Sequence, residues 1–162
     1  MGVAMTKMIH YACGAAALLL VSNLSYAEPA ATDSFAWQGH ELALGQAQGK
    51  CQLEIASQGK AKQTHALDLT PPCYFLRRGE AEPLHYAYPK QHIKAAFIIL
   101  GNPLSADELK TWNVSATMQC GTQGQGLLFS GKDFRLSTKS LNRMLLCKDK
   151  GTDEKNFRFL SQ

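Results

Sequence analysis

The chain has 162 residues, with 17 Lys+Arg against 13 Asp+Glu, five Cys and 45% hydrophobic residues. That is the size of one domain, and the apolar share excludes a mainly disordered or collagen-like chain. A charged share of 19% argues against a coiled coil or a charged tail, and a formal net charge of +4 is too small to imply a nucleic-acid partner.

The first element is not part of the fold. Lys7 and His10 precede an apolar run from Ala15 to Val21, and a polar stretch then ends in Ser25-Tyr26-Ala27. Small residues at 25 and 27 give the spacing of a secretory signal, with cleavage expected after Ala27. The apolar run is far shorter than the roughly 20 residues a membrane helix needs. Cys13 precedes the run, whereas a lipid-acceptor Cys would follow it. Removing residues 1–27 takes away Lys7 and no acid, which lowers the formal charge from +4 by one. No second apolar run approaches membrane length. The expectation is an exported chain, periplasmic or extracellular, without stable membrane insertion after cleavage. Asn113-Val114-Ser115 fits an N-glycosylation sequon, which matters only in a eukaryotic secretory path.

Residues 28–36 read as a flexible mature N-terminus, and 37–162 as a single disulfide-stapled β-rich domain. The Gln/Gly-rich piece 45–49 reads as a loop. From Lys50 to Ser57, Cys51, Leu53 and Ile55 alternate with Gln52 and Glu54, the period of a strand with one wet face. A turn around Gly59 and a second alternating segment, 61–69, complete a β-hairpin. Pro71-Pro72 ends it, since neither can donate to a ladder. Short strands are expected at 73–78 and 84–88. Ile93 to Leu100 is apolar on both faces, the pattern of a central strand covered on both sides.

Ser105 followed by Glu108 predicts a capping box, and Leu104 with Leu109 a hydrophobic staple. The helix they start is expected to end by Asn113. Residues 114–120 read as a strand and 121–126 as a loop. A hairpin is expected from 127–130 and 133–137 around Gly131-Lys132. The segment 140–147 fits either a helical face or a strand. Thr152, Asp153 and Glu154 start a terminal helical turn that would bury Phe157 and Leu160. The fold class is α+β, with a mostly antiparallel sheet and one or two short helices; all-β is the alternative.

Four cysteines remain after signal removal, and an exported chain favours disulfides among three possible connectivities. Hairpin topology favours Cys51–Cys73 and Cys120–Cys147. A four-Cys zinc site has no C-x-x-C pair to support it. The histidines beyond the signal segment, His40, His65, His85 and His92, show no ligand spacing, and no metal or cofactor is implied. No nucleophile elbow or P-loop occurs. Asp153-Glu154 reads as a pair of helix-start charges rather than an acid–base pair.

The most distinctive candidate surface joins Arg77 and Arg78 to Tyr74, Tyr86 and Tyr88, because Tyr and Arg are favoured in protein interfaces. The expectation is a small exported protein-binding or inhibitor module whose partner is another envelope or secreted protein. An immunity protein against an envelope-acting toxin would be one case. The alternatives are a small periplasmic hydrolase using a His/carboxylate pair, such as His65 with Asp68 or His85 with Glu82, and a structural component of an envelope or secretion assembly.

Overall fold

Two-residue turns organise the first half of the domain. In the computed structural model, which describes Met1 and residues 31–79 and 82–162, strands β1 (Asp33–Trp37), β2 (His40–Ala47), β3 (Lys50–Ser57) and β4 (Gln63–Ala66) form a four-stranded antiparallel sheet in that order. Gln38-Gly39 and Gln48-Gly49 connect the first three strands, and all four residues have positive φ. Such turns match the twist of paired strands, and Gly takes the second position without a Cβ penalty. The expected cleavage point at Ala27 lies outside the described residues. The expected flexible terminus is corrected from residue 33 onward: Asp33 to Trp37 pair with Leu44 to His40. The expected loop at 45–49 is likewise the end of β2 plus its turn.

The second sheet is built on β7 (Ile93–Pro103). On one side β7 pairs with β5 (Tyr74–Phe75) and β6 (Tyr86–Tyr88), and on the other with β8 (Cys120–Phe129). Strand β9 (Phe134–Cys147) pairs in turn with β8. All pairs are antiparallel. The central position expected for the apolar run at 93–100 is found. Ala95, Phe97 and Ile99 face the first sheet, where Leu42, Leu44, Leu53 and Ile55 close the larger core. Ala96, Ile98 and Leu100 face the opposite way, onto helix α2 (Glu154–Leu160) with its Phe157 and Leu160. The layers are therefore sheet, sheet and helix. Strand accounts for 53% of the structure and helix for 12%, so the fold is β-rich α+β.

Three local readings change. Residues 114–119 are turns, not strand: Ser115 Oγ accepts the Thr117 N–H and contacts Thr117 Oγ1 at 2.9 Å. Hydroxyls that bond their own backbone compete with a ladder. Residues 121–126 are strand, not loop, and of the two alternatives for 140–147 the strand is the one found. The cap of α2 is Asp153, whose carboxylate accepts the Lys155 N–H at 2.9 Å. Thr152 instead accepts from Asn156 Nδ2.

Both expected disulfides are present. Cys51–Cys73 ties the first sheet to the segment leading into β5, and Cys120–Cys147 joins paired residues of β8 and β9. Among the described residues, no helix is long and apolar enough to cross a membrane.

Candidate functional site

The structure divides the expected Tyr/Arg surface into pieces with different duties. Arg77 and Asp33 form an ion pair at 2.8 Å, with their side chains only 11% and 7% exposed. Arg77 also donates to the Ser34 carbonyl. Asp33 further accepts the Phe75 N–H at 2.9 Å, and Lys148 Nζ stands 3.9 Å away. This cluster fastens β1 to β5, so Arg77 acts inside the corner between the two sheets. Tyr86 is half-buried and packs edge-on against Phe157 at 4.9 Å. Tyr88 is buried, and its hydroxyl donates to Glu154 at 2.8 Å. Both tyrosines seat α2 on the sheet. Glu154 also pairs with Arg158, so Asp153 and Glu154 serve the helix. Arg78 is exposed at a bridge to Lys150.

Tyr74 remains half-buried at a surface cleft. Burial, then the nearby Asp33 charge, raises its phenol pKa. The Lys148 ammonium lies over its ring, 5.0 Å from the centroid, an attraction between a cation and the negative ring face.

The histidine–carboxylate pairs are not assembled. Asp68 is bound by Lys50 at 2.7 Å. His85 Nδ1 contacts the Pro83 carbonyl, and its ring packs edge-on to Trp37. A contact not anticipated from the sequence joins His40 Nδ1 to Ser57 Oγ at 2.7 Å, with the imidazole edge-on to Phe129 and Phe134. Among the described residues no carboxylate holds that ring, so the orienting third member of a nucleophile–base chain is lacking. Nor do three metal-ligating side chains converge among them.

The cleft beside Tyr74 measures about 200 Å³, and Pro72, Leu104, Leu109, Ala116 and Met118 complete its apolar wall. It lies under an excursion that leaves the sheet after β7 and returns at β8. Helix α1 (Ala106–Thr111) forms the excursion's centre, and the expected capping box starts it. Glu108 accepts the Ser105 N–H at 2.8 Å while Ser105 Oγ accepts the Glu108 N–H. The Ser105 backbone and side-chain bonds hold the Glu108 carboxyl below its ordinary pKa. Leu109 is buried with Leu104, Val114, Met118 and the Cys120–Cys147 bridge. Trp112 closes the helix, its N–H donating to the Glu108 carbonyl, yet the residue is 51% exposed. Sequence reasoning passed over Trp112; the one signal was a large apolar residue one step past the helix.

A larger concavity, about 610 Å³, spreads over the outer face of the first sheet, where Ala43, Gly45 and Gln52 leave low relief beside the Glu54–Lys62 ion pair. Its width comes from small side chains on a solvent face, and Gln46, Gln52, Glu54 and Lys62 border it. Comparison with protein-family models, curated proteins and solved structures finds no match to the chain.

Proposed function

We propose that the protein is a small exported binding or inhibitor module that recognises another envelope or secreted protein through the α1 excursion. The observation that carries this reading is Trp112. It is a large aromatic side chain, half in solvent, on a segment fixed by a capping box, a buried leucine and a disulfide. Tryptophan is the residue most enriched among interface hot spots, and a rigid platform lowers the entropy lost on docking. The apolar cleft beside Tyr74, walled by the same excursion, offers a socket for a partner's side chain. Two disulfides fit an oxidising compartment, and the signal-like first 27 residues fit export to the periplasm. An immunity protein against an envelope toxin is the most concrete form of the proposal.

The test is recovery of a partner from periplasmic extract by the oxidised mature protein and by its Trp112→Ala variant. Loss of an anchor of this kind is expected to weaken binding by about 2 kcal/mol or more, roughly thirtyfold. Undiminished recovery by a folded variant would remove the excursion from the proposal. Arg77→Ala is unsuitable for this purpose, because it breaks the buried pair with Asp33.

A further inference from the structure

The segment Gly121-Thr122-Gln123-Gly124-Gln125-Gly126 looks like a turn, but its alternation does two jobs in a strand. A Cβ on Gly124 would stand 2.9 Å from Leu146 Cδ1, and one on Gly126 would stand 3.0 Å from Leu160 Cβ. Glycine at these positions lets Leu146 and α2 settle directly on the sheet. Gln123 and Gln125 take the opposite face, across from Asn142 and Ser140 of β9. Farther along that face, Leu127 and Phe129 belong to the core between the sheets. The covering layer stops at Asp68-Leu69, and a cleft of about 230 Å³ opens there. Gln123, Gln125, Thr138, Ser140 and Asn142 line it.

The charges at its rim are already engaged. Asp68 is bound by Lys50. Lys139 sends its ammonium away, to Gln162 Oε1 at 3.0 Å and over the Phe159 ring. The rest of the lining is neutral, and part of its hydrogen-bonding capacity is unused. Gln125 Oε1 accepts the Asp68 N–H at 3.3 Å, which leaves its amide NH2 to donate. Asn142 Nδ2 donates to Ser140 Oγ at 2.9 Å, which leaves its carbonyl oxygen to accept. The Gln123 side chain has no partner among the described residues.

We propose that this cleft binds a neutral sugar residue. Amides and hydroxyls offer donors and acceptors side by side, as sugar hydroxyls require. A charged ligand would have to compete for Asp68 or Lys139, which Lys50 and Gln162 already engage. An apolar one would strip water from five polar side chains and return no hydrogen bond. The two-strand platform fixes the spacing of the amides, which reduces the cost of ordering them. The site shares no residue with the cleft under α1, so it stands or falls independently of the binding-module reading.

The experiment follows the side-chain amide resonances of Gln123, Gln125 and Asn142 in the oxidised protein. The probes are glucose, N-acetylglucosamine, a short N-acetylglucosamine oligomer, glucuronic acid and a blocked neutral dipeptide. Saturable shifts of those amides by a neutral sugar are expected, with Kd on the order of 1 mM for a single residue. Tighter binding of the oligomer would assign the site to a glycan, and equal binding to a free sugar. Gln123→Ala breaks no internal bond and is expected to weaken binding about tenfold with the rest of the spectrum unchanged. Three results would overturn the proposal: no saturable shift with any neutral sugar, an equal response to the dipeptide or glucuronic acid, or wild-type affinity in Gln123→Ala.

Discussion

The corner between the two sheets and the α1 excursion each contain a disulfide, but they use it for opposite ends. At the corner, Cys51 and Cys73 are at most 1% exposed and link different layers. Around them Thr32 donates to the Cys73 carbonyl, and Asp33 gathers Phe75 and Arg77. These bonds run from the first sheet, or the residue leading into it, to the β5 segment. In the excursion, Cys120 and Cys147 are already neighbours across a ladder, so their bridge adds no new layer contact. It closes the foot of a 16-residue detour whose helix has six residues and one buried side chain. One bridge assembles the core, while the other props up a surface that the core does not need.

The sharpest way to break this comparison is Asp33→Ala. Removing one partner of a nearly buried pair leaves Arg77 uncompensated, and a loss of about 4 kcal/mol is expected in urea unfolding. A loss below about 1 kcal/mol would mean that the corner is held by packing alone. The two disulfides come next. Their sequence separations are 22 and 27, so loop-closure entropy assigns each about 3.5 kcal/mol and scarcely separates them. The regional difference should appear in hydrogen exchange instead. With Cys120→Ala and Cys147→Ala, the amides of Leu109, Trp112 and Val114 should open ahead of the core. With Cys51→Ala and Cys73→Ala, protection should fall across both sheets. Matching exchange patterns would erase the distinction.

The corner also shows what was legible in the sequence. Alternation in 50–57 and the two-faced apolar run at 93–100 gave their strands directly, because burial is set by periods of local residues. Both disulfides followed from hairpin topology, and the capping box marked α1. β1 was missed because five residues, Asp-Ser-Phe-Ala-Trp, carry too little pattern, and what helps fix them is Asp33 reaching a residue 44 positions away. Gln38-Gly39 and Gln48-Gly49 were the available signal: two positive-φ turns ten residues apart imply a meander. The glycines at 121–126 misled for the converse reason. Their tight packing against Leu146 and α2 exists only once the tertiary structure forms. Tyr86 and Tyr88 were expected on the candidate binding surface, but whether they meet a partner or α2 depends on where the last helix docks.

Tyr88 tests that docking with a smaller effect. Burial first, and then its bond to Glu154, push its phenol above the ordinary 10.0. A group whose pKa rises on folding contributes stability in full below the unfolded value, and that stability is lost as pH climbs toward the folded one. Native stability should therefore decline above about pH 10. Tyr88→Phe should cost about 1 kcal/mol at neutral pH through the lost hydrogen bond and make the alkaline decline shallower. Part of that decline should survive, because Tyr74 is raised as well. An unchanged slope would mean that Tyr88 does not report on the α2 contact.

Trp112→Ala should have the smallest effect on folding and for that reason separates the two regions most cleanly. The side chain is half exposed, and helix closure uses its backbone N–H, which alanine keeps. Substitutions away from cores and caps usually stay within about 0.5 kcal/mol. A melting temperature equal to that of the unaltered protein would show that the fold does not need this tryptophan. If stability drops by more than about 1 kcal/mol, comparable to an ordinary buried substitution, Trp112 is part of the small core around Leu109 and Met118. The exposed surface on the excursion would then lose its anchor, and with it the contrast between a corner that makes the fold and a detour that displays a side chain.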